Sequence, residues 1–206
     1  MPAPPATAPL LCLASVSARR RELLAQIGVP HLVSAANIDE AVQPGEPAAD
    51  YVVRMARSKA LAVRARRADL PVLAADTTVA IDGVICGKPA DQSEGLAMLQ
   101  RLSGRSHQVL TAVALAGAGG LNFRLSASEV RFRRLSRAEC LAYWHSGEPR
   151  DKAGGYAVQG RAAVFIEHLS GSYSGVMGLP LFETAQLLAA AGIGWWQESR
   201  VHGAPT

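Results

Sequence analysis

Hydrophobic residues recur along the chain with two periods, one typical of strands and the other typical of helices. Short apolar runs bounded by glycine or polar residues predict strands, whereas apolar residues that repeat every three to four positions predict amphipathic helices. The short runs predict strands over 10–14, 31–36, 72–75, 79–81, 84–86, 108–115, 121–133, 156–159 and 163–168. The periodic segments predict helices over 17–28, 48–67, 91–102, 136–145 and 180–192. Strands and helices interleave without internal repeats, so the pattern predicts a mixed α/β fold.

Local signals support several of these bounds. Asp82-Gly83, which separates two short apolar runs, is typical of a two-residue hairpin turn. Ser17 is a residue type that caps helices, and Gly28 is the type that ends them. Asp91 precedes a later helix with the spacing of a capping box.

Length and composition predict one folded domain with loose ends. The chain has 206 residues, of which 49% are hydrophobic and 18% are charged, which is unlike a disordered chain. We expect a flexible arm over 1–8, a single folded domain over 9–194 and a loosely held tail over 195–206. The net charge of +4 is too small to require stable nucleic acid binding, although it suits a small anionic substrate.

Nothing in the sequence predicts export or membrane insertion. No apolar run reaches the roughly 18 residues that a membrane helix needs. The start, MPAPPATAPLLCLAS, carries four prolines and lacks the positive region of a signal peptide. The cysteines Cys12, Cys86 and Cys140 form no CxxC pair, which predicts buried thiols in a reducing compartment. We therefore expect a cytoplasmic protein that does not contact membranes.

The choice of basic residue is uneven. Of the 21 basic residues, 18 are arginine and only Lys59, Lys88 and Lys152 are lysine. A lysine retained in such a chain suggests a need for a compact ammonium group, for example as a point charge on phosphate. Chance is the alternative explanation, so each lysine has to be judged by its local context.

Three arginines stand in the first turn of the first predicted helix. Arg19, Arg20 and Arg21 oppose the helix macrodipole there. A phosphate chain bound by the helix amides and by some of these side chains would remove the conflict. The alternative is a solvated basic face, which we expect of Arg21 at least.

Lys59 and Asp76 also stand out from their surroundings. Lys59 occupies a position within the apolar stripe of the helix predicted over 48–67, so its ammonium either extends to the surface or reaches a cleft. Asp76 is predicted to end a buried strand, where α/β folds place catalytic groups and metal ligands. The alternative for Asp76 is a carboxylate that stabilises a turn.

Other motifs are less informative. Lys88 follows a hairpin but does not belong to a P-loop, because Asp82 and Pro89 stand where that motif needs Gly and Ser or Thr. Lys152 lies beside Gly154 and Gly155, whose backbone permits close approach to a ligand. The alternative is that this segment is a solvated turn. The five histidines lack metal-site spacing, and no aromatic ladder accompanies the basic residues.

Taken in order, the motifs resemble the Maf family of nucleoside triphosphate pyrophosphatases. They are LASVSARRRELL, IDE, RSKA, AADTTV, GKP, GEPRDKAGGYAVQG and GSYSGVMGLPL, and they run from about residue 11 to residue 192. The resemblance implies an elongated mixed sheet with flanking helices in two lobes, similar to the inosine triphosphate pyrophosphatase fold. It also implies a homodimer that uses a divalent cation, Mg²⁺ or Mn²⁺, to cleave a nucleoside triphosphate into the monophosphate and pyrophosphate.

The resemblance assigns roles to particular residues. It implies that Asp76 is the catalytic acidic residue, as general base or as metal ligand, and that Glu40 helps to hold the metal or water. By the same match, the phosphate-binding residues would be Ser15, Arg19, Arg20, Lys59, Lys88 and Lys152. Ala18 departs from the proline that the family usually has, which loosens the loop without removing chemistry.

The motifs are similar to the branch of the family that acts on dTTP and UTP, and not to the branch that acts on 7-methyl-GTP. On that likeness Arg19, Thr77 and Gln159 would choose the base, and the enzyme would clear excess or modified pyrimidine nucleotides. The alternative function is a non-catalytic nucleotide-binding regulator of cell division and septum formation. A nucleic-acid binder is a third and weaker hypothesis, supported only by the net charge.

Overall fold

A computed structural model describes residues 8–196 as a mixed sheet flanked by helices. The strands are β1 (Leu11–Leu13), β2 (His31–Val33), β3 (Val72–Ile81), β4 (Val84–Cys86), β5 (Ser106–Gly117), β6 (Gly120–Phe132) and β7 (Ile166–Ser170). The helices are α1 (Ala18–Gln26), α2 (Ala48–Arg64), α3 (Gln92–Leu102), α4 (Arg137–His145), α5 (Tyr173–Met177) and α6 (Leu181–Ala190). Short 3-10 helices cover Glu148–Asp151, Ala153–Gly155 and Arg161–Phe165. Most of the predicted arm and tail lies outside the described residues.

The seven strands form one sheet in the order β2-β1-β3-β5-β6-β7, with β4 also paired to β3. Strand β1 runs parallel to both β2 and β3, and the remaining pairs are antiparallel. The predicted α/β class with a mixed sheet is therefore confirmed. None of the helices within residues 8–196 is long and apolar enough to cross a membrane.

Strand β3 is where the sheet forks. On one side β5 pairs with it from Val72 to Ala80. On the other side β1 pairs at Val72 and Leu73, and β4 pairs only from Val79 onwards. Among the described residues, the edge of β3 between these two partners pairs with no strand. The sheet is thus open in its middle, beside Asp76 and Thr77.

Apolar side chains pack on both faces of the sheet and around its far end. Helix α2 covers one face, where Ala56 and Ala60 lie in one core cluster with Ala112 and Ala114 of β5. These small side chains let the helix lie close to the sheet. Helices α1 and α6 cover the opposite face through leucines. Helices α3 and α4 pack around Phe132 of β6 at the far end.

Most predicted elements are present, but several differ: the strand predicted over 163–168 starts only at Ile166, after a 3-10 helix, and α5 was not predicted. The hairpin turn is confirmed, since both Asp82 and Gly83 adopt positive φ, 54° and 72°. The end of a strand at Asp76 is wrong, because pairing with β5 carries β3 on to Ala80 and pairing with β4 adds Ile81. The strand over 156–159 is also wrong. Gly154 and Gly155 just before it take positive φ, 70° and 67°, and residues 156–159 form a loop and turn between two 3-10 helices.

The three cysteines, Cys12, Cys86 and Cys140, are all buried and free, as predicted. Burial raises the thiol pKa of each.

Ser136 caps α4 in a reciprocal capping box with Glu139. Asp91 accepts from the N–H of Glu94 at the start of α3, which confirms its capping position.

We expect stability to fall below neutral pH through His107, which is buried against Phe132 and Tyr156. Burial lowers the pKa of His107 to about 4, whereas an unfolded chain has about 6.5. Between these values the unfolded state binds more protons, so the free energy of unfolding falls as pH falls. Above about pH 6.5, His107 does not change the free energy of unfolding. Near pH 4 it lowers that free energy by about 3 kcal/mol, because each unit of pKa difference is worth about 1.4 kcal/mol.

Urea unfolding of wild type and His107→Gln between these pH values measures that contribution. The stability difference between the two proteins should shrink as the pH falls, because only the wild type loses the histidine term. His168→Gln, which changes an exposed histidine, is the control and should follow the wild type. Parallel curves for wild type and His107→Gln would contradict the expectation.

Candidate active site

A cleft with a volume of about 880 Å³ opens at the fork beside β3. Every residue that the sequence analysis placed in a site lies in its lining: Ser15, Arg19, Arg20, Glu40, Lys59, Asp76, Thr77, Lys88, Lys152 and Gln159. The fold therefore brings into one cleft side chains that are far apart in the sequence. Their individual roles stay predictions.

A charged cluster lies on the α2 side of the sheet. The ammonium nitrogen of Lys59 lies 2.6 Å from Oδ1 of Asp76 and 2.8 Å from Oε1 of Glu40. Lys59 is 8% exposed and Asp76 is 6% exposed, whereas the side chain of Glu40 is about half exposed, at 46%. Of the two alternatives for Lys59, the structure therefore favours the cleft over the surface.

The two carboxylates of this cluster differ electrostatically. Burial raises the pKa of Asp76, and the charges of Lys59 and Arg20 oppose that rise only in part. Partial burial also acts to raise the pKa of Glu40, but Lys59, Lys88 and Arg20 outweigh it and lower the pKa. Asp76 is consequently the better proton acceptor, and Glu40 is the more firmly ionised group.

Successive side chains of a strand point to opposite faces, so Thr77 lies across the sheet from Asp76. There Nη2 of Arg20 donates to Oγ1 of Thr77 at 3.3 Å, and Nη1 donates to Oγ of Ser15 at 3.4 Å. Nε of Arg20 donates to the carbonyl oxygen of Gly178 at 2.7 Å. Burial lowers the pKa of Arg20, and the charge of Asp76 opposes that change. Because the edge of β3 is unpaired here, one ligand can contact both faces.

The N-terminus of α1 faces the cleft, whose lining includes Ser17, Ala18 and Arg19. Ser17 occupies the capping position, but its side chain makes no capping hydrogen bond, and no acidic residue stands in the first turn. Free amides at a helix N-terminus attract anions. Arg21 is exposed and lies outside the lining, as expected of the solvated arginine.

Glu148 holds the segment that carries Lys152 and Gln159 in a folded-back shape. Oε1 of Glu148 accepts from the hydroxyl of Tyr143 at 2.7 Å, and Oε2 accepts from the backbone N–H of Arg161 at 3.0 Å. The ammonium group of Lys152 donates to the carbonyl oxygen of Glu148 at 2.9 Å. These bonds hold the segment in the shape that brings Lys152 and Gln159 to the cleft.

Gly154 joins this segment to the segment that carries Lys88. Its backbone N–H donates to the carbonyl oxygen of Gly87 at 2.9 Å. A Cβ at this position would lie 2.9 Å from a methyl group of Val79, and φ is +70°. Only glycine suits both requirements, so Gly154 lets the two lysine-bearing segments lie side by side.

The cleft offers oxygen ligands to a metal, but few of them. Within residues 8–196, no group of three or more His, Cys, Asp and Glu side chains is placed to hold a metal ion. Glu40 and Asp76 lie on either side of the Lys59 ammonium. Mg²⁺ is commonly bound by one or two carboxylates together with waters and substrate phosphates. The residues present fit such a site when a phosphate supplies further oxygens.

Sequence reasoning missed several residues that support the cleft. Tyr51 lies in the lining and donates through its hydroxyl to the carbonyl oxygen of Glu40 at 3.1 Å. Burial, with the charges of Asp76 and Glu40, raises the pKa of Tyr51 to about 12. Thr111 is buried and bonded to Thr77. The one signal for Thr111 was a hydroxyl within the otherwise apolar run VLTAVALA.

Comparison with known proteins places the chain in a family. The model of the family described as Maf-like protein matches residues 10–191. A dTTP/UTP pyrophosphatase of Bordetella parapertussis is 54% identical over 194 residues, which cover 90% of this chain and 94% of that protein. The protein of the same name from Hahella chejuensis is 52% identical over 191 residues, which cover 91% and 95%. That from Methylobacillus flagellatus is 54% identical over 183 residues, which cover 88% and 92%.

A solved structure overlaps the chain in part. It is a nucleoside-triphosphatase, described as a dITP/XTP pyrophosphatase, from Mycobacterium abscessus. The overlap covers 61% of this chain and 75% of that one, with a TM-score of 0.40 and 18% identity. Family membership does not depend on this overlap. Because the family model spans the chain from its first strand to its last helix, the chain belongs to the Maf family.

Proposed function

We propose that this chain is a nucleoside triphosphate pyrophosphatase that hydrolyses dTTP and UTP to the nucleoside monophosphate and pyrophosphate. The names of its relatives support the reaction and the substrates. The structural observation that carries the proposal is the buried cluster of Lys59, Asp76 and Glu40 at the fork of the sheet. That cluster lies in a cleft large enough for a nucleotide.

The cleft lining carries more cationic side chains than carboxylates, which suits a triphosphate. A nucleoside triphosphate carries about four negative charges, since each phosphate carries at least one. Five cationic side chains line the cleft, namely Arg19, Arg20, Lys59, Lys88 and Lys152. The open N-terminus of α1 adds amide donors for a phosphate. Fixed charges placed in this way stabilise a transition state without having to reorganise.

Glu40 and Asp76 would hold the divalent cation, Mg²⁺ or Mn²⁺, together with oxygens of the substrate. Their hard oxygen atoms are the donors that Mg²⁺ prefers. When bound, such an ion neutralises phosphate charge and makes a coordinated water more acidic. Lys59, which contacts both carboxylates, keeps this pair of negative groups together in the free protein.

In the proposed reaction a water molecule attacks the α-phosphorus, the bond from that phosphorus to the bridging oxygen breaks, and pyrophosphate leaves. Asp76 either accepts the proton of that water or helps to hold the metal. Both roles need the ionised carboxylate, which Lys59 favours by its charge and hydrogen bond. The burial that raises the pKa of Asp76 also makes it a stronger base than an exposed aspartate.

Two wider aspects of the proposal rest on the family resemblance: the enzyme would clear excess or modified pyrimidine nucleotides, and it would act as a homodimer. The proposed cytoplasmic location rests instead on the free, buried cysteines. The small net charge is the ground for proposing no stable nucleic acid binding.

Pyrophosphate release should be confined to a narrow set of nucleotides. We expect turnover of dTTP and UTP with Mg²⁺ or Mn²⁺, and little turnover of CTP, GTP or 7-methyl-GTP, when pyrophosphate is measured for each. Turnover of 7-methyl-GTP would agree with membership of the Maf family but would contradict the assignment of dTTP and UTP as substrates. No release from any nucleotide would favour the alternative, a non-catalytic regulator of cell division.

Asp76→Asn should lower kcat for UTP by about 10²–10⁴-fold, the usual range for loss of an acid–base group. The amide has nearly the shape of the carboxylate but cannot accept the proton or hold the metal as well. Asp82→Asn is the matched control, because Asp82 lies in the exposed hairpin turn and pairs only with surface arginines. Circular dichroism of both variants would verify the fold. Wild-type kcat in Asp76→Asn would remove Asp76 from its proposed role.

Glu40→Gln should raise the Mg²⁺ concentration needed for half-maximal activity. Loss of even a partner of a metal ligand weakens metal binding about 10–100-fold, so we expect an increase of about tenfold or more. Glu46→Gln is the control, since Glu46 lies on the same connecting segment but pairs with Arg54 outside the cleft lining. A titration in which both variants need the wild-type Mg²⁺ concentration would contradict a metal-holding role for Glu40.

A further inference from the structure

Thr111 lies beneath the cleft, and the proposed mechanism does not use it. It is 1% exposed, in the middle of β5, directly opposite Thr77 of β3. Its hydroxyl oxygen lies 2.7 Å from the carbonyl oxygen of Gly175 and 3.0 Å from Oγ1 of Thr77. It does not itself belong to the cleft lining. Of its two hydrogen-bond partners, Thr77 belongs to the lining, so the hydroxyl of Thr77 is the group through which Thr111 acts most directly on a ligand.

The direction of these hydrogen bonds follows from the number of protons available. A threonine hydroxyl carries one proton, whereas a carbonyl oxygen can only accept. Two oxygens at 2.7 Å repel unless a proton lies between them, so Thr111 donates to Gly175. The contact at 3.0 Å to Thr77 then needs the proton of Thr77. Thr77 therefore donates to Thr111, and its proton is directed away from the cleft.

Arg20 reinforces this polarity from the other side. Its guanidinium group can only donate, and it does so to Oγ1 of Thr77 at 3.3 Å. The hydroxyl of Thr77 has two acceptor lone pairs, of which Arg20 uses one. The group that Thr77 offers to a ligand in the cleft is consequently an acceptor, in one fixed orientation.

We propose that Thr111 is a positioning residue for base selection, because it fixes the Thr77 hydroxyl as an acceptor for an N–H group of the nucleobase. This inference rests on the proposed function and explains its preference among pyrimidines. Uracil and thymine carry a donor at N3 between two acceptor oxygens. Cytosine carries a lone pair at N3, which an acceptor would repel.

The lining around Thr77 combines apolar groups, which suit a base, with the guanidinium of Arg20. Near Thr77 the cleft is lined by Val176, Met177 and Gly178 of the segment through α5. The cluster of Lys59, Asp76 and Glu40 lies across the sheet, on the α2 side. A nucleotide that spans the fork would then place its base against these apolar groups beside Thr77 and extend its phosphates past Arg20, which bonds Thr77, towards the charged cluster.

The test is the ratio of kcat/KM for UTP to kcat/KM for CTP in wild type and Thr111→Val. Valine keeps the shape of threonine but removes the hydroxyl, so the proton of Thr77 becomes free to rotate and donate to N3 of cytosine. We expect the ratio to fall by about tenfold, the usual effect of reversing one hydrogen bond in a specificity site. The fall should come partly from a gain in CTP turnover, which a general loss of structure would not produce.

Thr111→Ser and Thr111→Ala form a second matched pair, and they decide the question even when Thr111→Val does not fold. Both lose the methyl group, but only serine keeps the hydroxyl. Serine should preserve the wild-type ratio within about twofold, whereas alanine should lower it as valine does. Thermal unfolding of each variant separates loss of packing from loss of the hydroxyl.

The outcomes separate this inference from the proposed function. Wild-type protein that does not hydrolyse UTP would overturn the proposed function itself. Wild-type protein that prefers UTP, with the same ratio in the alanine and valine variants, would overturn the role of Thr111 and leave the function standing. An equal fall in the serine and alanine variants would assign the effect to packing of the methyl group, which also overturns the inference.

Discussion

The buried ammonium group of Lys59 is the interaction on which the site depends. It lies within hydrogen-bond distance of two carboxylates, Asp76 and Glu40, and almost no water reaches it. Removing one partner of a buried ion pair destabilises a protein by about 3–5 kcal/mol, because the other charge is then left without compensation. The apolar stripe of α2 must therefore pack in the one register that directs Lys59 towards β3. The segment before α2 must bring Glu40 to the same point.

The open middle of the sheet turns this ion cluster into a site. If a strand filled the gap between β1 and β4, the side chains of Asp76 and Thr77 would be separated by a closed layer of backbone. Because that edge of β3 is unpaired among the described residues, a ligand can contact side chains on both faces. Strand β5 supports β3 through the whole gap. The exposed edge is thus held in place from its other side.

The two faces of the fork offer different chemistry. On the α2 face the groups of the cluster are ions, and the sign of each charge is fixed. On the other face a hydroxyl can donate or accept, depending on where its proton points. The carbonyl of Gly175 and the guanidinium of Arg20 fix that direction. The loop with Glu148 contributes a further set of internal bonds, which direct Lys152 and Gln159 to the same cleft. The ion cluster and the hydroxyl of fixed direction are therefore separated by one layer of backbone.

Much of the local structure follows from the sequence alone. The periodicity of apolar residues predicts the long helix α2 and the strand pair β5–β6, and Asp82-Gly83 predicts the hairpin. These signals act between residues a few positions apart, where propensity and turn chemistry decide the outcome. The rarity of lysine, together with the resemblance to the Maf family, also indicated the residues that line the cleft.

Only the tertiary structure decided how those residues meet. Lys59 and Asp76 are 17 positions apart, and Arg20 and Gly178 are 158 apart, so no local pattern could show that they are partners. Asp76 was predicted at the end of a strand because its side chain is polar, but pairing with β5 outweighs that local preference and continues β3 to Ala80. The fork and the direction of the Thr77 hydroxyl depend likewise on strand pairing. Contacts between distant segments form only when the whole chain folds, and for that reason the sequence determined which groups are present while the fold determined what each one faces.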